Sequence, residues 1–524
     1  MKKLSIIGMI CFTTGCLYAQ ERVPVPTHEI IIGRNYRTNA DIKAEKHVFP
    51  ENIYRWSAND ATSLLSLQFR GTNEEESDKP GQGDELKKIG SIAVFDLQTH
   101  RIRWDQMINY QESTVAQYDR FLLKRDGYQT SCLNIDSGRE MWKATKTLDY
   151  VNQTRSIGVG SRRSTSGNIT NAVEGIDIPS GQTIWKRNIN RKYNLNEILP
   201  LNDSVVIVSA NGLHSMHLKT GLGWDYNAHT AKKDRSATII VNVINLGLSI
   251  ILGGESELVT GHDLITDLVS NTLVDSTGMY MADKNSLVHL NRRGKVIWKS
   301  SLPGNMVSRS TLFFKDSLIY LVNNGWASFN FEPVKYGKTF IAAFSVKTGK
   351  KIFLSPVGYK NDEIVDYLTQ QDTLYLISTN RVFKYSLQDG SELFEQKMKI
   401  DSVGELTQFG GKNLFIVSDS VPVDPVLPDS AHIGVYTTKN DLLYLDYLFN
   451  IKDIFPGNAL SDCYLETKGY KFIDTGEMTL VVDGQNVPVA ELYISGNCIL
   501  RGTTLFEVQG KDLVEIELNQ VLDH

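Results

Sequence analysis

One motif, repeated along the chain, constrains this sequence more than any other feature. A hydrophobic strand runs into a tight turn at a residue that tolerates positive φ, and an aromatic follows four residues later. Clear copies are Asp96-Leu97-Gln98-Thr99-His100 with Trp104, Asn134-Ile135-Asp136-Ser137-Gly138 with Trp142, and Asp177-Ile178-Pro179-Ser180-Gly181 with Trp185. Self-similarity at a period of roughly 40 residues marks a repeat architecture in which each unit buries its apolar face on its neighbours. Such a chain is a platform first and an enzyme only by addition.

The turn position is held by His100, Gly138, Gly181, Gly221, Gly294, Gly349, Gly390, Asn440 and Gly510. Glycine takes positive φ without steric cost, and Asn and His are among the next most tolerant types, so one backbone demand accounts for the whole set. Asp96, Asn134 and Asp177 sit four residues before the turn, where their side chains can bond the turn backbone. The aromatics are Trp104, Trp142, Trp185, Trp298, Phe353, Phe394 and Tyr444, with Trp224 one residue early and Val514 in the last copy. A ring of aromatics could serve a sugar or a quinone. The stronger reading is structural: equivalent outer-strand aromatics docking on neighbouring repeats. Short strands at 8–12-residue spacing, such as Val205–Val208 followed by Leu213–Leu218 in the fourth copy, make the fold all-β.

The pattern resembles the Ala-x-Asp-x-x-Thr-Gly-x-x-x-Trp docking motif of pyrroloquinoline-quinone-type β-propellers. That family includes quinoprotein dehydrogenases and a non-catalytic branch with an outer-membrane barrel-assembly lipoprotein. The resemblance spans about 60 to 520 and departs from the motif at Leu290, Ser345, Ser386, Tyr436 and Phe506, which stand at the Asp position. It implies a β-propeller of four-stranded blades, eight in number as is usual in the family, with loop and short helical insertions on one face. Residues 20–59 form an N-terminal extension and a ring-closing strand, and 60–524 the propeller.

Insertions fall at about 73–88, 228–266, 326–338, 421–432 and 450–486, with a shorter one at 161–171. They lie between the second and third strands of a unit or between one unit and the next. In an up-down blade both connections emerge on the same face, and loops held by a rigid scaffold are where binding usually resides. Two have character. Trp326, Phe329, Phe331 and Tyr336 crowd one short loop, either as a recognition patch or as a cap on its own blade. Ala237 to Leu252 is nearly all apolar, with Thr238, Asn242, Asn245 and Ser249 on one helical stripe. A helix buried on the propeller face, a partner contact and a lipid contact are its three readings.

Residues 1–19 read as a secretory signal: Lys2 and Lys3, an apolar stretch from Leu4 to Phe12, and Ala19 at the cleavage site. A lipidated Cys16 is the rival reading and would make an outer-membrane lipoprotein. Removing Lys2 and Lys3 takes the formal net charge from −5 to −7, which favours solubility and argues against nucleic acid as a partner. Cleavage leaves Cys132, Cys463 and Cys498. A Cys463–Cys498 disulfide and three buried thiols are both open.

No catalytic, cofactor-binding or metal-binding residues stand out. The chain lacks the adjacent cysteines and the calcium ligands that the resemblance would require of a quinone enzyme. It also lacks a nucleophile elbow, a phosphate loop and a histidine pair at helical metal spacing. The expected function is therefore an exported, monomeric, non-catalytic interaction platform with no cofactor, acting in the bacterial periplasm or cell envelope on protein partners. A quinone-dependent oxidoreductase and a glycan-binding propeller are the alternatives.

Overall fold

The structure is a computed structural model that describes residues 23–58, 62–71, 87–111, 113–163, 169–191, 196–231, 265–329, 332–358, 363–378, 381–397, the strands between 403 and 455, and 460–522 apart from 476–477, 486 and 496–497. The apolar run 237–252, Cys16 and the signal-like start lie outside these residues, as do Asn440 and Phe331.

The fold is an all-β propeller of four-stranded antiparallel blades. The first unit pairs Ile53–Ala58, Leu64–Phe69, Ile89–Asp96 and Arg101–Asn109 in order, and Val23–Pro24 adds a short fifth strand at its outer edge. Seven more four-stranded sheets follow, the eighth unit being Val403–Gln408, Ile433–Thr437, Leu442–Leu445 and Ile451–Phe455. Middle strands such as Leu64–Phe69 and Gly278–Ala282 are buried along their whole length, whereas the outer strand Val296–Ser301 alternates exposed and half-buried positions. That contrast follows from place: a middle strand is covered by the units on both sides, an outer strand only in part.

Each described seam between consecutive units from the first to the seventh has its own apolar cluster. Val94, Trp104 and Leu133 join units one and two; Val159, Trp185 and Val206 join three and four; Tyr320, Ile341 and Phe383 join six and seven. The repeat motif supplies the same joint each time. The indole N–H of Trp104 donates to the Ile135 carbonyl, Trp142 to Ile178 and Trp185 to Leu218, each at 2.6 Å. Trp224 donates to Arg292 at 3.0 Å and Trp298 to Val346 at 2.9 Å.

The turn glycine thus meets two demands. Gly221 has φ +68°, and a Cβ there would lie 2.6 Å from the Trp185 ring. The same clash recurs at Gly138, Gly181, Gly294, Gly349 and Gly390. The side chains four before the turn close it: Asn134 Oδ1 accepts from the N–H groups of Asp136 and Ser137 at 3.0 Å, and Asp177 Oδ2 accepts from that of Ser180 at 3.0 Å.

Three expectations are corrected. The stretch 450–486, expected as an insertion, supplies strand residues of a further meander, Leu460–Thr467, Tyr470–Asp474, Thr479–Val482 and Pro488–Leu492. Its outer strand pairs with Thr27–Asn35, so backbone bonds cover the edge that an aromatic covers elsewhere and the motif is absent. Gly510 does not join a third strand to a fourth. It turns Thr504–Gln509 into Asp512–Glu517, and the next strand outward is Asp41–Val48 from the other end of the chain. With Leu414–Ser418, Val421–Val423 and Ile499–Arg501, these strands form one eleven-stranded sheet that brings Thr27–Asn35 and Asp41–Val48 together with the last strands of the chain. Finally, 326–338 is a β-hairpin, Trp326–Phe329 against Glu332–Lys335. Trp326 and Phe329 are half-buried, Ala327 and Ser328 between them are buried, and the two strands pair like any short ribbon.

Candidate interaction surface

The hairpin at 326–335 meets the chain returning from the preceding insertion. Ile265 pairs with Phe329 and Thr266 with Ser328, making a three-stranded sheet. Side chains alternate across it. Ala327 and Phe329 turn to one side and, with Tyr336 and Val334, pack on Ile265 and Leu268. Phe329 and Tyr336 therefore fold under the hairpin as its own core. Trp326 and Ser328 belong to the other side. The half-buried Trp326 ring carries the exposed Arg309 guanidinium 5.0 Å from its centroid. Ser328 Oγ donates to Asp267 Oδ2. Of the three described aromatics among those singled out in the sequence, Trp326 alone lies on the other side, and its partner Arg309 gave no sequence signal.

Beside this corner lies a cavity of about 340 Å³ lined by Asn196, Glu197, Asp267, Asn271, Arg309 and Ser310, among others. Glu197 and Ser310 open first strands of their units, and Asn271 stands two residues before one, which is the end from which the insertions emerge. Most of the polar wall is fixed by the fold. Asn271 Nδ2 donates to Leu312 O at 3.1 Å while its Oδ1 accepts from Leu312 N at 2.7 Å, and Glu197 Oε1 accepts from Thr272 N at 2.9 Å. The buried Ser310 hydroxyl has no protein partner. One cation, two carboxylates, two amides and a free hydroxyl suit a polar or charged segment.

The docking aromatics are elsewhere. Trp104, Trp142, Trp185, Trp224 and Trp298 occupy the seams described above, and Phe353 lies against Gly390. Phe394 is half-buried on Glu392–Lys397 with Lys384 Nζ 5.6 Å from its ring centroid; Tyr444 lies on Leu442–Leu445.

Cys132, Cys463 and Cys498 are all free thiols. Burial pushes Cys132 and Cys498 up to about 12, the Glu507 carboxylate adding to the second, and also raises Cys463, so none is poised as a thiolate. Among the described residues one group of side chains could hold a metal ion: Glu45, His47 and His100, whose ligand atoms lie within 4.8 Å of one another. Sequence spacing hid it, because its members come from the N-terminal strand and the first repeat turn.

Neither a family model nor a curated protein matches the chain. Among solved structures it is similar to BamB from Moraxella catarrhalis, at 13% identity over 67% of this chain and 89% of that one, TM-score 0.34. It is also similar to the computationally designed Ika8 protein, at 11% identity over 75% of this chain and 96% of that one, TM-score 0.31. A third is the Pan2 WD40 domain of Neurospora crassa, at 12% identity over 66% and 88%, TM-score 0.29. Superpositions this loose transfer no residue and no role.

Proposed function

We propose that this chain is an exported, non-catalytic β-propeller that serves as a protein-interaction platform in the periplasm or cell envelope of a bacterium. Its binding corner is the Arg309–Trp326 pair and the polar cavity beside it. The observation that carries the reading is the exposed guanidinium stacked on Trp326 at the rim of that cavity, on the end of the units where the insertions emerge. Arg and Trp are the side chains most enriched at binding hot spots, and here the stacking fixes the cation without neutralising it. The signal-like sequence at 1–19 supports export. Among the described residues no helix is long and apolar enough to cross a membrane.

Capture from envelope extract tests this, with wild type, Arg309→Glu and Trp326→Ala as baits of matched thermal stability. The expected result is a set of proteins recovered by wild type and lost with both variants. An identical set from all three baits would sink the assignment of this corner. Quinone- and calcium-dependent dye reduction by the purified chain would replace the platform with an oxidoreductase.

A further inference from the structure

The seam that joins the two ends of the chain to the first repeat is built unlike the others. At the six seams with a described turn glycine, an aromatic ring lies on that glycine. Here the turn residue is His100, with φ +51°, and the ring facing it is His47 of Asp41–Val48. The imidazoles meet edge to face with centroids 4.9 Å apart, and His47 also packs on Phe95 at 5.1 Å. A β-carbon in the left-handed region carries a steric cost that glycine would avoid. The smaller His47 ring leaves room for it, but room alone gives no reason to place an imidazole there.

The bonding around His47 gives one. Its side chain is fully buried. Nδ1 lies 3.0 Å from Thr27 Oγ1, and that hydroxyl spends its single proton on the Val25 carbonyl at 3.1 Å. With the hydroxyl proton on Val25, Nδ1 carries the ring proton and donates to Thr27 Oγ1. The lone pair of the neutral tautomer is then on Nε2, which lies 3.2 Å from Glu515 Oε2. Nε2 and the half-buried Glu515 carboxylate thus face each other, a pairing that a second ring proton or a bound cation completes. Across the seam, His100 Nε2 lies 3.4 Å from Glu45 Oε2.

We propose that Glu45, His47 and His100, with Glu515 completing the set, bind a divalent transition-metal ion of the zinc class. The ion would clasp the N-terminal strand and the C-terminal strand Asp512–Glu517 to the first repeat. Zinc takes imidazole nitrogen and carboxylate oxygen at about 2.0–2.2 Å, which sets neighbouring tetrahedral ligands about 3.4 Å apart. The 3.2 Å and 3.4 Å pairs already match two edges of such a tetrahedron. Exposed Glu45, buried His47 and half-buried His100 already bring ligand atoms within 4.8 Å of one another, and His47 is held by the Thr27 hydroxyl in the manner of an outer-shell partner.

The test uses the full purified chain, stripped with a chelator and then titrated with zinc by calorimetry or with cobalt by its visible spectrum. One ion per chain is expected, with a tetrahedral cobalt spectrum and a melting temperature raised by zinc and lowered again by chelator. His100→Gly restores the residue type of the other turns and removes one ligand. It should weaken zinc binding at least tenfold and abolish the cobalt band, while its metal-free form melts no lower than wild type. Glu45→Gln, at an exposed position, should also weaken binding. If zinc leaves the wild-type melt unchanged, or if His100→Gly binds zinc as tightly as wild type, the site is a proton-bridged imidazole and the proposal fails.

Discussion

The Tyr320 hydroxyl donates to the carbonyl of Leu387 at 2.8 Å, across the seam between the sixth and seventh units. Leu387 stands three residues before Gly390, the place taken by Ile135, Ile178, Leu218 and Val346 at other seams. There the donor is a tryptophan indole. Here the docking ring is Phe353, which has no N–H, and a tyrosine from a middle strand of the same unit supplies the proton instead.

Tyr320→Phe should therefore cost about 1–3 kcal/mol, the penalty of leaving a buried acceptor unpaired. Phe353→Trp in that background should recover much of the loss, because an indole would reach the same carbonyl. Denaturant midpoints for the four members of this cycle decide it. Equal losses with and without the tryptophan would show that Leu387 O is satisfied in another way.

Trp185→Ala removes a ring that is 8% exposed, lies on Gly221 and bonds Leu218 O at 2.6 Å. The expected loss is about 3–5 kcal/mol, the usual cost of deleting a large buried aromatic. A variant that melts like wild type but loses a binding activity would move Trp185 from the seam to a site.

Acid should weaken the fifth unit first through His289. Its ring stacks on Tyr280 at 4.1 Å, and burial lowers its pKa from the ordinary 6.5, with the Asp275 charge opposing. The charged form is thus favoured in the unfolded chain. Stability is complete above 6.5 and is lost as pH falls through that value toward the depressed folded one. Buried His214 acts in the same sense, burial again leading and the hydrogen bond to Asp225 opposing. Melting temperature should drop between about pH 7 and about pH 5, and His289→Phe, which keeps the stack, should flatten part of that drop. An unchanged acid limb in the variant would assign the loss to other groups.

The seams were legible in the sequence because one joint imposes two residue types at fixed spacing, a turn glycine and an outer-strand ring. Tyr320 was not, since nothing in Leu-Ile-Tyr-Leu-Val tells how far its hydroxyl reaches. The closing sheet was hidden for a different reason. Asp41–Val48 and Asp512–Glu517 pair by backbone, which leaves no side-chain signature, and the two strands lie at opposite ends of the chain. The same distance concealed His47, His100 and Glu515 from any spacing rule. At the hairpin, the sequence left a recognition patch and a cap on its own blade both open. Which rings fold under depended on Ile265 and Leu268, contributed by another insertion.

The two demands on the turn glycines can be separated. Gly127 has φ +55° and open space where a Cβ would go, while Gly221 has φ +68° and the Trp185 ring 2.6 Å from that point. Alanine at either position meets the left-handed penalty of about 1–2 kcal/mol. At Gly221 it must also displace the indole from its place over the turn and strain the bond to Leu218. Gly221→Ala should then approach the cost of Trp185→Ala, while Gly127→Ala stays near the backbone penalty alone. Combining Gly221→Ala with Trp185→Ala should cost well under the sum of the two, because the clash disappears with the ring. Chemical denaturation of the four proteins measures this. Equal effects at Gly127 and Gly221, or full additivity in the pair, would mean that the ring yields freely and that φ alone selects glycine at the turns.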